Sequence, residues 1–274
     1  MTRAPEWSMR AFSDFIESQR HHRKLLEVCK RGIFYISSTK PRLIEVLRSP
    51  DEPVDEQRDA EIKSEAALAD SELKNDFPTL HSQFVVTLWS SLENLIFTVV
   101  EDRLLNEPSL FRSKPWCDLK VRVGEFVGLD DHQRASHLAS LMDQALSAPL
   151  KGGVNRFEAL MAAIGLTGVV PEELGKAIFE LQQVRNLLVH QRGIADKRFV
   201  SSCPWLGASV GVTVHVGSSM CNAYLVAVLA YVGELVCRNA EHFGDSDTRK
   251  TMFSETPIRS SNETAGAPNP APEG

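Results

Sequence analysis

RNLLVHQRGIADKRF, residues 185–199, decides how the rest of the chain is read. It follows a stretch with helical periodicity. With Leu181 set at zero and about 100° per residue, Leu174, Ala177, Ile178, Val184 and Leu188 fall within about 60° of it. Arg185 lies at about 40°, inside this apolar stripe, where a charge is costly to bury. Asn186 and His190 lie near 140° and 180°, four residues apart on one face. A straight helix therefore separates Arg185 from His190 by about 140°. For the two to cooperate, the helix must distort near its end or one residue must act across an interface. The plain structural reading makes Arg185 a snorkelling or ion-paired side chain at the core's edge. It makes His190 a helix-end residue favoured by the dipole.

Outward from this segment the chain reads as helical. Pro171 suits the first turn of the helix carrying the motif, and Glu172 and Glu173 favour its positive end. Gly193 is a natural stop. The stretch 76–105 has start signals in Asp76 and Pro78, and Leu80, Phe84, Leu88, Leu92, Leu95 and Val99 recur at three- and four-residue spacing. Helices are also expected over 11–36, 57–74, 131–147, about 155–165 and about 220–240. Residues 107–130 give no clear pattern. Val210, Val212, Val214 and Val216 alternate with small or polar residues, which predicts a β-strand or hairpin near 207–219. From Gly244 onward Ser, Thr, Pro, Gly and charge dominate, the composition of a disordered tail.

The bulk numbers fit a soluble globular chain. There are 274 residues, 43% hydrophobic and 24% charged, with a net charge of −6. That balance argues against binding nucleic acid over the whole surface, while leaving room for a local basic site. Charge is segregated: residues 1–48 hold ten Lys/Arg against five Asp/Glu, and residues 54–76 hold three against eight. The five cysteines form no C-x-x-C pair and read as reduced thiols. The N-terminus is too polar for a signal peptide, and the apolar run 223–236 is too short to cross a bilayer. A cytoplasmic protein with no membrane partner is the expectation. His132 and His137 are five apart, not the i, i+4 spacing of H-E-x-x-H, so no metal site and no cofactor are expected. Cys203, beside Pro204 and Trp205, reads as a packing residue rather than a nucleophile.

The segment 185–199 resembles the HEPN superfamily, the higher eukaryotes and prokaryotes nucleotide-binding domains. The hallmark is Arg, often followed by Asn or another polar residue, then four to six residues and His. Arg185, Asn186 and His190 occupy those positions, and Gly193, Asp196 and Phe199 match the looser continuation. The likeness extends weakly over about 76–240, where LWSSLENLI matches the earlier core helix of such domains. The resemblance implies an all-α, HEPN-like helical bundle at 76–243, interrupted by the β insertion near 207–219. Residues 1–75 form an N-terminal helical extension, its packing on the core left open, and 244–274 the disordered tail.

The activity so implied is metal-independent endoribonuclease action, in a toxin or phage-defence role, with RNA as substrate and Arg185, Asn186 and His190 as catalytic residues. The product would carry a 2′,3′-cyclic phosphate. A homodimer around this helix would bring two motifs into one cleft, and an antitoxin or nucleotidyltransferase is the partner that such a role implies. The alternative is a non-catalytic HEPN-like module that binds a nucleotide or a partner protein.

The chemistry accounts for the residue types. His, with an ordinary pKa near 6.5, moves a proton at neutral pH. Arg stays charged and offers a fork of donors to phosphate oxygens.

Overall fold

The computed structural model describes residues 3–47, 55–147 and 152–254, and the described chain is all-α. Helix α1 (Glu6–Phe34) continues through a π turn (Tyr35–Thr39) into α2 (Lys40–Leu47), the backbone staying helical at Phe34, Tyr35 and Lys40. Helix α3 (Glu56–Lys74) packs beside α1 and the π turn, and α4 (Pro78–Asn106) follows. Two 3-10 turns (Pro108–Arg112 and Trp116–Asp118) and α5 (Val123–Phe126) lead to α6 (Asp131–Ser147). Then come α7 (Val154–Ala163), α8 (Glu172–Gln191), α9 (Lys197–Ser202), a 3-10 turn (Pro204–Leu206), α10 (Ser218–His242) and α11 (Asp247–Ser254).

Helix α4 is the axis of the bundle. Its residues Leu88, Leu92, Ile96 and Val100 are fully buried, and α1, α6, α7, α8 and α10 pack around it. Each such side chain contributes about 1.5–3 kcal/mol by leaving water. Pro78 sits in the first turn, where its missing N–H costs nothing. Asp76, one of the expected start signals, is not the cap: the residue preceding the helix is Phe77, and both have left-handed φ of 58° and 53°. Burial of charge follows the rule that it be partnered. Arg103, 1% exposed, bonds Glu107, the Ile164 carbonyl and His242, and Arg238, 6% exposed, is paired with Glu158.

The stretch 1–75 divides in two. The first half of α1 belongs to the core: Ala11, Phe12 and Phe15 are buried with α4, and Ser8 accepts a bond from Asn239 on α10. The second half of α1, α2 and α3 form an arm. Among its described residues only Ala69 is buried, and Phe34, Leu43, Val46 and Leu47 are exposed.

The β insertion near 207–219 is overturned. Among the described residues there is no strand, only one isolated antiparallel bridge between Ile194 and Thr213. The alternation of valines is real, but the segment finds just three residues, Gly193 to Ala195, to pair with before α9 begins. Val210 and Val212 are left 55% exposed. The disordered tail is corrected in its first part: α11 lies within it, and Arg249 pairs with Glu234 and Glu241 on α10. Residues 255–274 lie outside the described residues.

By length and composition α4 and α10 are apolar enough to cross a membrane, though half of each apolar window is buried inside the bundle. The run 223–236, judged too short on its own, is the middle of this 25-residue α10.

Candidate functional site

The apolar stripe of α8 packs as its spacing requires. Ile178, Leu181 and Val184 are fully buried, and Leu174, Ala177 and Leu188 are partly so. Acidic Glu172 and Glu173 fill the first turn. The helix ends at Gln191, where Arg192 adopts a left-handed φ of 55° and Gly193 one of 80°. The Gly193 N–H closes the end by donating to the Leu187 carbonyl at 3.1 Å. A side chain at 193 would be strained by that φ.

After this turn the chain folds back on α8. The Val214 N–H donates to the Gly193 carbonyl at 2.8 Å, and the Ala195 N–H donates to the Val212 carbonyl at 2.9 Å. The valine segment thus acts as a brace on the turn. Asp196 then caps α9, its Oδ1 accepting the Phe199 N–H at 2.7 Å. Phe199 is buried at 3% exposure, and so is Leu187, which lies outside the stripe read from the sequence. Leu187 and Phe199 line the same cleft between α8 and α9.

Between α8 and α9 lies an open cleft of about 250 Å3. Gln183, Asn186, Leu187, His190 and Gln191 line it from α8, and Asp196, Arg198 and Phe199 from the loop and α9. Asn186 and His190 stand one turn apart, about 6 Å along the axis. His190 is exposed, and its ring makes no hydrogen bond among the described residues. Gln183, Gln191 and Arg198 likewise carry no side-chain partner.

Arg185 is not part of the cleft lining. Its Nη1 donates to Asn186 Oδ1 at 3.0 Å, and its Nε is buried without a partner. Asn186 thus bonds Arg185 on one side and shares the cleft with His190 on the other, an arrangement the wheel did not anticipate. The structure brings Asn186 and His190 together in the cleft and joins Arg185 to Asn186 alone, through a side-chain bond. Sequence reasoning missed Gln183, Gln191 and Arg198. The signal available for Arg198 was Asp196, an N-cap residue type that starts a helix across from His190.

No family model, curated protein or solved structure matches the chain.

Of the cysteines, Cys203, Cys221 and Cys237 are buried, Cys29 is half-buried and Cys117 is exposed. None of the five cysteines is in a disulfide, and burial pushes Cys203 up to about 12 and Cys221 up to about 11, so both hold their protons at neutral pH. Cys203, fully buried, is no nucleophile in this state.

Proposed function

We propose that the protein is a metal-independent endoribonuclease of HEPN type, acting in the cleft between α8 and α9. One observation carries the reading: an exposed, unpartnered His190 shares an open cleft with Asn186, whose amide oxygen is held by Arg185. In the reaction the ribose 2′-oxygen attacks the adjacent phosphorus, and the bond from phosphorus to the 5′-oxygen breaks. His190 takes the 2′-hydroxyl proton. The departing 5′-oxygen becomes a hydroxyl by taking a proton from solvent, or from the imidazolium of a second motif across the homodimer that the resemblance implies. Donors aimed at the charge gathering on the phosphate are worth about 3–4 kcal/mol each.

The test is product chemistry. Single-stranded RNA incubated with the purified protein in EDTA should yield 2′,3′-cyclic phosphate and 5′-hydroxyl ends. Activity that appears only with added divalent ions contradicts the mechanism.

A second reading, a non-catalytic module that binds a partner protein such as an antitoxin or a nucleotidyltransferase, is favoured by the arm. Phe34, Tyr35, Leu43, Val46 and Leu47 are each between 45% and 80% exposed near its end. Clustered exposed apolar side chains of this kind mark binding surfaces.

A further inference from the structure

We propose that the cation serving the His190 cleft is Arg198, on α9, and that Arg185 is a positioning residue that acts through Asn186. The inference rests on the ribonuclease reading above and reassigns the roles that the sequence pattern implied.

Three arginines lie near His190 in sequence; Arg192 lines a different cleft, with Val189 and Gly193, and the structure uses the other two differently. Arg198 lines the cleft on the wall facing His190. It is exposed, and its guanidinium has no hydrogen bond or ion pair among the described residues. The nearby acid, Asp196, forms no ion pair with it; one of its carboxylate oxygens caps the first turn of α9 by accepting the Phe199 N–H. A free guanidinium offers its fork of donors to phosphate oxygens.

Three features hold the backbone around Arg198. Asp196 caps the helix, Phe199 is buried next to it, and the valine segment holds Gly193 and Ala195 by three backbone bonds of 2.8–2.9 Å. A site cation on a rigid, supported backbone is what charge stabilisation needs.

Arg185 is spent elsewhere. Its Nη1 is bonded to Asn186 Oδ1, its Nε is buried, and it does not line the cleft. The bond does something definite to Asn186. A carboxamide has one acceptor end and one donor end. With Oδ1 turned to the guanidinium, which has no acceptor, the end left for a ligand is the Nδ2 donor. Arg185 therefore makes the cleft face of Asn186 a donor beside His190, suited to a phosphate oxygen. This is also the physical reason for a charged residue in the apolar stripe of α8: its stem packs with the stripe and its head orients the neighbouring amide.

The experiment uses the full chain, with cleavable single-stranded RNA for kinetics and its 2′-O-methyl analogue, which cannot be cut, for binding. Arg198→Gln should cut about 100-fold more slowly or worse. It should also flatten the slope of log affinity against log salt by about 0.7, the loss of one phosphate contact on a single strand. Arg198→Lys should keep that slope. Arg185→Gln should lower kcat and leave the salt slope unchanged. In an Asn186→Ala background it should cost nothing further in kcat, because its only route to the substrate is already gone. Thermal midpoints of all variants separate these effects from misfolding.

Wild-type rate and slope in folded Arg198→Gln overturn the proposal, as does a flattened slope in Arg185→Gln or an additive loss in the Asn186→Ala background. Wild-type protein that binds the methylated RNA but cuts no RNA overturns the ribonuclease reading, and the slopes then decide the roles of the two arginines. Wild-type protein that binds no RNA overturns both.

Discussion

Asp76, between α3 and α4, accepts the backbone N–H of Ser218, the first residue of α10, at 2.5 Å across 142 positions of sequence. The N-cap residue of α10 is Gly217, which has no side chain to offer, so Asp76 supplies the cap from elsewhere in the fold. The hydrogen bond from Ser218 holds the Asp76 carboxyl below its ordinary value. Asp76→Ala should lower stability by about 1 kcal/mol, as loss of a helix cap does. A carboxyl depressed in the fold stabilises above its unfolded pKa, and that contribution is lost as pH falls through the lower folded value. The difference between wild type and Asp76→Ala should therefore shrink below about pH 4. Urea midpoints at pH 7 and pH 3 check this; an equal difference at both would contradict it.

His81, one turn into α4 and 1% exposed, is held below its ordinary value of 6.5 by burial and then by the Lys30 cation. Burial, with Arg103, does the same to His242. For these groups the unfolded chain binds a proton that the folded chain refuses. Their contribution is fully present above about pH 6.5 and falls as the pH drops toward the lower folded values. The thermal midpoint should decline between pH 7.5 and 5.5. His81→Leu should flatten that decline; an unchanged pH slope would show that His81 does not contribute to it.

Asp196→Ala removes the cap of α9 and one turn of support for Arg198. Stability should fall by about 1 kcal/mol, and cleavage should fall by more than the small unfolded fraction explains. Urea titration beside RNA cleavage measures both. Unaltered cleavage would show that the α9 wall takes no part in the chemistry.

Much of the bundle was legible where one face of a helix meets one core. The α8 stripe from Leu174 to Leu188 and the α4 repeat from Phe84 to Val99 both pack as their spacing demands. Other features depend on distant partners. The valines at 210–216 carry a strand's alternation, but a strand needs a neighbour, and the fold supplies only Gly193 to Ala195. The continuation of α1 into α2 passes through a π turn that period-based reading cannot register.

The site divides the same way. His190 and Asn186 share a face by periodicity alone. The Arg185–Asn186 bond joins adjacent residues that the wheel sets about 100° apart, so only side-chain reach reveals it. Leu187, buried at 3% exposure, lies about 120° from the centre of the stripe on the wheel, so periodicity alone does not mark it as core.

The most direct measurement is RNA cleavage in EDTA by wild type and His190→Ala, with thermal midpoints recorded alongside. His190 is exposed and unpartnered, so truncation should leave the midpoint unchanged while a folded chain loses cleavage. Ends bearing 2′,3′-cyclic phosphate should come from wild type alone. Cleavage by His190→Ala at the wild-type rate, with the same ends, would contradict the account.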